Sequence, residues 1–122
     1  MTPQELQFAA LRETGVVAHD EVPSAEQGVL AEQRYANLHA MLLHENLATW
    51  AVDEDIPDKA AQPMIWMLAF LCGPILGVSG ERVSELASLG AFSVTPMSLG
   101  ERQLRRVMAA DYVPQTSQAE YF

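Results

Sequence analysis

The chain has 122 residues, the length of one ordinary domain, and its balance of 49% hydrophobic to 19% charged residues places it among folded globular chains rather than disordered ones. Sixteen acids against seven bases give a formal net charge of −9, so a groove that grips nucleic acid through lysine and arginine is not expected. The single cysteine, Cys72, excludes an internal disulfide and a thiolate zinc cluster, which suits a reducing compartment.

The opening residues Met1 to Glu5 carry neither the basic start nor the apolar run of an export signal. Thr2, Pro3 and Glu5 supply an N-cap, a first-turn proline and the reciprocal acid of a capping box, and Gly15 suits the left-handed position that ends a helix. A first helix is therefore expected from about Pro3 to Thr14. A loop follows through His19, Asp20 and Glu21 to Pro23.

Ser24 with Gln27 repeats the capping box and opens a long second helix, about Ala25 to Leu47. Its stripe is read as Val29, Ala36, Ala40, Leu43 and Leu47, at spacings of 7, 4, 3 and 4. From Leu38 to Leu43 apolar side chains nearly encircle the helix, which predicts cover from more than one side.

Asp53, Glu54, Asp55 and Asp58 precede a third helix, about Pro57 to Leu71, where acids favour the exposed amide groups of its start. Pro63 should bend it, and Gly73 with Pro74 should end it. The uncharged run from Pro63 to Val78 is 16 residues long, short of the roughly 20 that cross a bilayer. It reads as a buried central helix rather than a membrane segment.

Ser79 or Gly80 opens a fourth helix with Val83, Leu86, Ala87 and Gly90 on one face. Thr95 with Pro96, or Ser98 with Glu101, starts a fifth, on which Met97, Gly100, Leu104, Val107 and Met108 share a face and which should stop near Asp111. No alternating strand pattern of useful length is present. The fold class is all-α, a bundle of four to five helices over residues 1–110, with 111–122 as an extended C-terminal docking tail.

Constellations for chemistry are thin. His39 and His44 are separated by about 140° on a helix and His19 lies in a loop, so the histidines read as solvated or capping groups rather than metal ligands. Asp53, Asp55 and Asp58 begin like a calcium loop, but Asp58 stands where that loop needs glycine and Met64 where it needs glutamate. Ser79 reads as a helix cap, since Gly77 to Gly80 is one residue short of a nucleophile elbow. Glu81 and Glu85, one turn apart, are the pair a hydrolase would use, with no cleft signalled beside them. No catalytic residue, metal or cofactor is assigned.

Two surfaces read as contacts. Arg102, Arg105 and Arg106 place three of seven positive charges opposite Met97, Leu104 and Met108, as a solvated face or a salt-bridging face for an acidic neighbour. Tyr112, Val113, Pro114, Tyr121 and Phe122 put apolar and aromatic anchors on a segment too short for its own core.

The order Leu11, Arg12, Glu13, Thr14, Gly15, Val16, Val17, Ala18, then Pro23, Ser24, Ala25, Glu26, then Asn37, Leu38, His39, Ala40, Met41, Leu42 resembles the opening of the head-to-tail adaptor proteins of tailed bacteriophages. That family takes in connector, or packaged-DNA-stabilisation, proteins and their counterparts in gene transfer particles. Asp55, Ile56, Pro57 and the closing Glu120, Tyr121, Phe122 extend the resemblance over most of the chain. It implies a non-enzymatic virion protein at the neck, made in the host cytoplasm. Copies of itself would form a ring, dodecameric as is common in the family, beneath the portal protein ring, extending the DNA channel toward a downstream tail or stopper protein.

Carried over, Tyr112, Val113, Pro114, Glu120, Tyr121 and Phe122 become portal contacts, with Arg102, Arg105 and Arg106 as subunit or portal salt bridges near that junction. Small residues such as Ala36, Ala40 and Gly90 would permit close helix approach. Genomic DNA would pass through the lumen unbound, as a net charge of −9 favours. The loops 16–23 and 48–58, with His19, Asp20, Glu21, Asp53, Glu54 and Asp55, are the expected exposed segments for the downstream partner. No membrane partner is expected. The alternative is an acidic helical cytoplasmic binding or regulatory protein that takes up a partner helix.

Overall fold

The computed structural model describes residues 1–109. Those residues form five α-helices and no strand: α1 (Pro3–Glu13), α2 (Ala25–His44), α3 (Asp58–Cys72), α4 (Gly80–Gly90) and α5 (Leu99–Ala109). The all-α expectation therefore holds. The expected stop near Asp111 and the docking tail of 111–122 lie outside the described residues.

Helix α3 is the centre of the bundle. It packs against all four other helices, of which α1 and α2 also meet each other, as do α4 and α5. Its composition explains the position: Ala60, Pro63, Met64, Met67, Leu68, Ala69 and Cys72 are all buried, and beyond its first turn the helix carries no charge. Burying side chains of the Met or Leu class stabilises by about 1.5–3 kcal/mol each. The helix runs continuously through Pro63, and no helix among the described residues is long and apolar enough to cross a membrane.

Backbone punctuation follows the sequence closely. Both capping boxes form: Thr2 Oγ1 accepts from the Glu5 amide at 3.1 Å and Glu5 Oε1 from the Thr2 amide at 2.8 Å, with Ser24 and Gln27 reciprocating at 3.2 and 2.9 Å. Gly15 takes φ +85 and ends α1, whose last helical residue is Glu13. Ser79 caps α4 by accepting from the Arg82 amide at 3.2 Å.

Helix α2 departs from expectation twice. It ends at His44, three residues before Leu47. Asn46 adopts φ +59, and the amides of Asn46 and Leu47 turn back to the carbonyls of Leu43 and Leu42 at 3.1 and 2.8 Å, the Schellman closure. Asparagine tolerates that left-handed conformation better than most other residues with a side chain.

The second departure is the buried face. Ala31, Tyr35, Leu38, His39 and Leu42 are buried, whereas Val29 is 54% and Leu43 50% exposed, with Ala36 and Ala40 exposed between them. At 100° per residue the two sets are centred about 120° apart around the helix, each at helical spacing. Aromatic and leucine bulk won the inward face, leaving Val29, Ala36, Ala40 and Leu43 as an outer stripe. Over Leu38 to Leu43, α1, α3 and the Trp50 loop cover Leu38, His39 and Leu42, with Met41 half-buried, while Ala40 and Leu43 remain outside, so the expected cover is present but does not encircle the helix.

Two glycines set the spacing of the α3, α4 and α5 layer. A Cβ at Gly90 would collide with the Trp66 carbonyl and stand 2.7 Å from the Met67 amide nitrogen, and one at Gly100 would stand 2.5 Å from the Leu89 carbonyl oxygen. These obstacles are backbone and do not yield. Of the small residues expected to allow close approach, Gly90 does so within the subunit, while Ala36 and Ala40 stay at the surface.

Gly90→Ala should therefore destabilise by about 2 kcal/mol or more through overpacking. Gly28→Ala, inside α2 with nothing within 4 Å of its added methyl, should stabilise by about 0.5–1 kcal/mol. Urea unfolding followed by far-UV circular dichroism reads both signs.

Candidate functional site

The arginine cluster is divided by the packing of α5. Ser98, not Thr95, opens that helix, accepting from the Glu101 amide at 3.2 Å. Glu101 is 2% exposed. Its carboxylate accepts from the Ser93 amide at 2.9 Å and from Arg105 Nε at 2.9 Å. Arg105 also lies 5.6 Å from the centroid of the Phe92 ring. Arg105 thus leans toward the buried side and ties α5 to the 91–98 loop, contrary to the expectation that all three arginines face away from Leu104 and Met108. Arg102 and Arg106 are exposed and make no ion pair with a described residue.

Met97 is 39% exposed and sits before the helix, while Gly100, Leu104 and Met108 form the inward face with Val107 at its margin.

The two expected contact loops are only partly free. His19, Asp20 and Glu21 are exposed, as are Asp53, Glu54 and Asp55. Each loop is anchored, however: Val17 and Pro23 are buried in the first, and Ala48, Trp50 and Ile56 in the second, because a loop that crosses the bundle needs apolar feet. Glu21 accepts from the Ala18 amide at 3.0 Å and Glu54 from the Ala51 amide at 2.8 Å, so these two acids brace their own turns. Asp58 alone of the four acids sits in the first turn of α3, which has no side-chain cap. His19 lines an open groove with Arg12, Glu13, Gln62 and Ile65, and Asp53 another with Gln4, Gln7, Glu32 and Tyr35. The two acidic loops therefore do not converge on one cleft.

His39 is a core residue, against the expectation that it would be solvated or capping. It is buried, with Nε2 2.6 Å from the Trp50 carbonyl oxygen. A carbonyl only accepts, so Nε2 carries the proton and donates. Trp50 Nε1 in turn donates to the Tyr35 hydroxyl at 3.0 Å. Burial pushes the Tyr35 hydroxyl up from its ordinary pKa, opposed by the bond from Trp50. Tyr35 and His39, one turn apart on α2, thereby latch the loop that follows the helix. The i, i+4 pairing of two ring residues with polar ends was the sequence signal for this network.

Catalytic groups do not assemble among the described residues. Glu81 and Glu85 are exposed on α4, and Glu85 pairs with Arg82 at 3.6 Å. Arg82 also reaches the Glu13 carbonyl and, at 3.9 Å, the Glu13 carboxylate, clasping α4 to the end of α1. No group of three or more metal-ligating side chains occurs among the described residues. Burial pushes the Cys72 thiol up to about 11, with Arg34 pulling weakly the other way. A thiol held protonated is a poor nucleophile.

Of the sites expected from sequence, Tyr112, Val113, Pro114, Glu120, Tyr121 and Phe122 lie outside the described residues. What the structure adds is a pair of faces left exposed among the described residues: the outer stripe of α2, flanked by exposed Glu26 and Glu32, and the Arg102 and Arg106 face of α5, with exposed Met97 beside Arg102. No protein-family model, curated protein or solved structure matches the chain.

His39→Leu should cost about 1–3 kcal/mol by leaving the Trp50 carbonyl without its donor, read as a lowered urea midpoint. The Cys72 thiol ionises near 9 when unfolded but at about 11 when folded, so its contribution is intact below pH 9 and falls as pH rises through that window. Cys72→Ala should flatten the decline in stability between pH 9 and 11, and native Cys72 should resist a thiol reagent at pH 8 until urea unfolds the chain.

Proposed function

We propose that this chain is a structural subunit of a head-to-tail adaptor ring in a tailed bacteriophage or phage-derived particle, bound beneath the portal. The observation that carries the reading is the outer stripe of α2: the longest helix of the bundle keeps Val29, Ala36, Ala40 and Leu43 outside the chain's own core. Apolar side chains held in water on one helix face have a cost that assembly removes. The residue order that resembles the adaptor family supplies the identity of the assembly, and the net charge of −9 suits a conduit wall that does not retain DNA.

In this role the bundle is a rigid spacer and chemistry is not required of it. The segment 112–122, with its aromatic anchors, supplies the portal contact, at the cost of ordering it on docking. The loops bearing His19 to Glu21 and Asp53 to Asp55 meet the next tail component. Virion neck is the corresponding location.

Deleting residues 112–122 should leave helix content unchanged and abolish capture of the chain by a purified portal ring. Undiminished capture of the truncated chain removes the proposed role of that segment. Absence of this polypeptide from purified virions removes the adaptor reading itself.

A further inference from the structure

The chain has seven bases, and three of its arginines are committed within the subunit. Arg82 pairs with Glu13 and Glu85, Arg105 with Glu101, and Arg12 donates to the Glu21 carbonyl at 3.3 Å while lying over the Phe8 ring. Arg102 and Arg106, one turn apart on α5, are exposed and pair with no described residue. Acidic side chains are abundant, and two of them, Glu26 and Glu32, straddle the apolar stripe of α2, also exposed and without an ion pair among the described residues.

The placement of the two faces is as informative as their charge. Helices α2 and α5 each pack on α3 but not on each other, and each turns its buried residues toward the core that α3 organises. Their outer faces are therefore separate patches, although the C-terminal ends of the two helices border one groove lined by Glu45, Leu47, Arg105 and Met108. Two separate and unlike patches are what a head-to-tail, closed-ring contact needs, because every copy then presents a donor face to one neighbour and an acceptor face to the other. Ala36 and Ala40, exposed along the α2 stripe between the larger Val29 and Leu43, carry side chains small enough for a neighbouring backbone to come close. At the start of α5, exposed Met97 lines a groove with Arg102, and arginine stems can lie along apolar surface while their heads reach acids.

We propose that the outer face of α2 in one copy receives the arginine-bearing face of α5 from the next copy, with Arg102 and Arg106 pairing with Glu26 and Glu32 across an apolar seam centred on Ala36 and Ala40. The inference rests on the adaptor reading for the closed ring and specifies which surfaces close it. An isologous α2 to α2 pairing would leave both arginines without partners and bring the acids of two copies together. The α2 to α5 pairing uses both faces.

Charge exchange in the full chain tests it. Sedimentation velocity should show concentration-dependent self-association of the wild type up to about 1 mM, the weak end of specific binding. Glu26→Arg with Glu32→Arg, and separately Arg102→Glu with Arg106→Glu, should each weaken that association about tenfold or more, since like charges then face each other. The fourfold variant carrying both exchanges should recover it. All four substituted positions are at the surface, and an unchanged circular dichroism spectrum checks the fold.

Ala36→Glu, which places a charge in the seam without touching the ion pairs, should weaken association as well. A wild type that remains monomeric to about 1 mM overturns the inference, as does a fourfold variant no better than the two doubles. If the doubles instead lose only portal capture, the faces belong to the portal and this inference fails while the adaptor reading stands. If self-association behaves as stated but the wild type fails to bind a portal ring, the α2 to α5 contact stands and the adaptor reading fails.

Discussion

Everything in the bundle answers to the apolarity of α3. A helix whose Met64, Met67, Leu68 and Cys72 all avoid water has to be covered around its circumference, and four amphipathic helices do this in two pairs. The cover is close on the α4 and α5 side because Gly90 and Gly100 bring backbone against backbone. With no Cβ in the way, dispersion contacts accumulate at distances that any other residue would forbid. Removing α3 from the centre would leave neither pair with a partner.

The connections between helices are fixed by polar side chains rather than by length. Thr14 Oγ1 accepts from the Val16 amide and donates to the Leu11 carbonyl, closing α1 before its loop departs. His39 and Tyr35 hold Trp50, and Glu101 with Arg105 holds the chain before α5. Each device satisfies a backbone or ring group that packing would otherwise strand, and an unsatisfied buried polar group is costlier than the bond is favourable. Such tethering anchors both ends of the acidic loops to the bundle surface. That is a useful property in a subunit whose proposed work is to hold neighbours at fixed distances.

The surface has a complementary logic. An acidic chain with only seven bases has few ways to make internal ion pairs, and Arg82 and Arg105 are spent on clasping α4 and α5 to their surroundings. The pair left outward on α5 therefore stands out against its background, as the α2 stripe does against the charged residues beside it. Both features suit association in the proposed assembly, and neither carries a reacting group.

Element type, order and most boundaries were legible in the sequence, because Thr2, Ser24, Gly15 and Ser79 act on backbone groups only a few residues away. The centrality of α3 was legible too, since an uncharged run too short for a bilayer has only a protein interior to go to. The end of α2 was not, because Asn46 ends a helix only where the following loop has somewhere to be held, and Trp50 supplies that hold from outside the local window. The inward face of α2 and the division of the arginines were decided by tertiary structure alone. Two apolar stripes on one helix are equivalent until a neighbour selects the bulkier, and Arg105 leaves its cluster only because Glu101 and Phe92 are folded beside it. Local chemistry determined the elements of this protein; which of their faces remained open for another molecule depended on contacts between residues far apart in the chain.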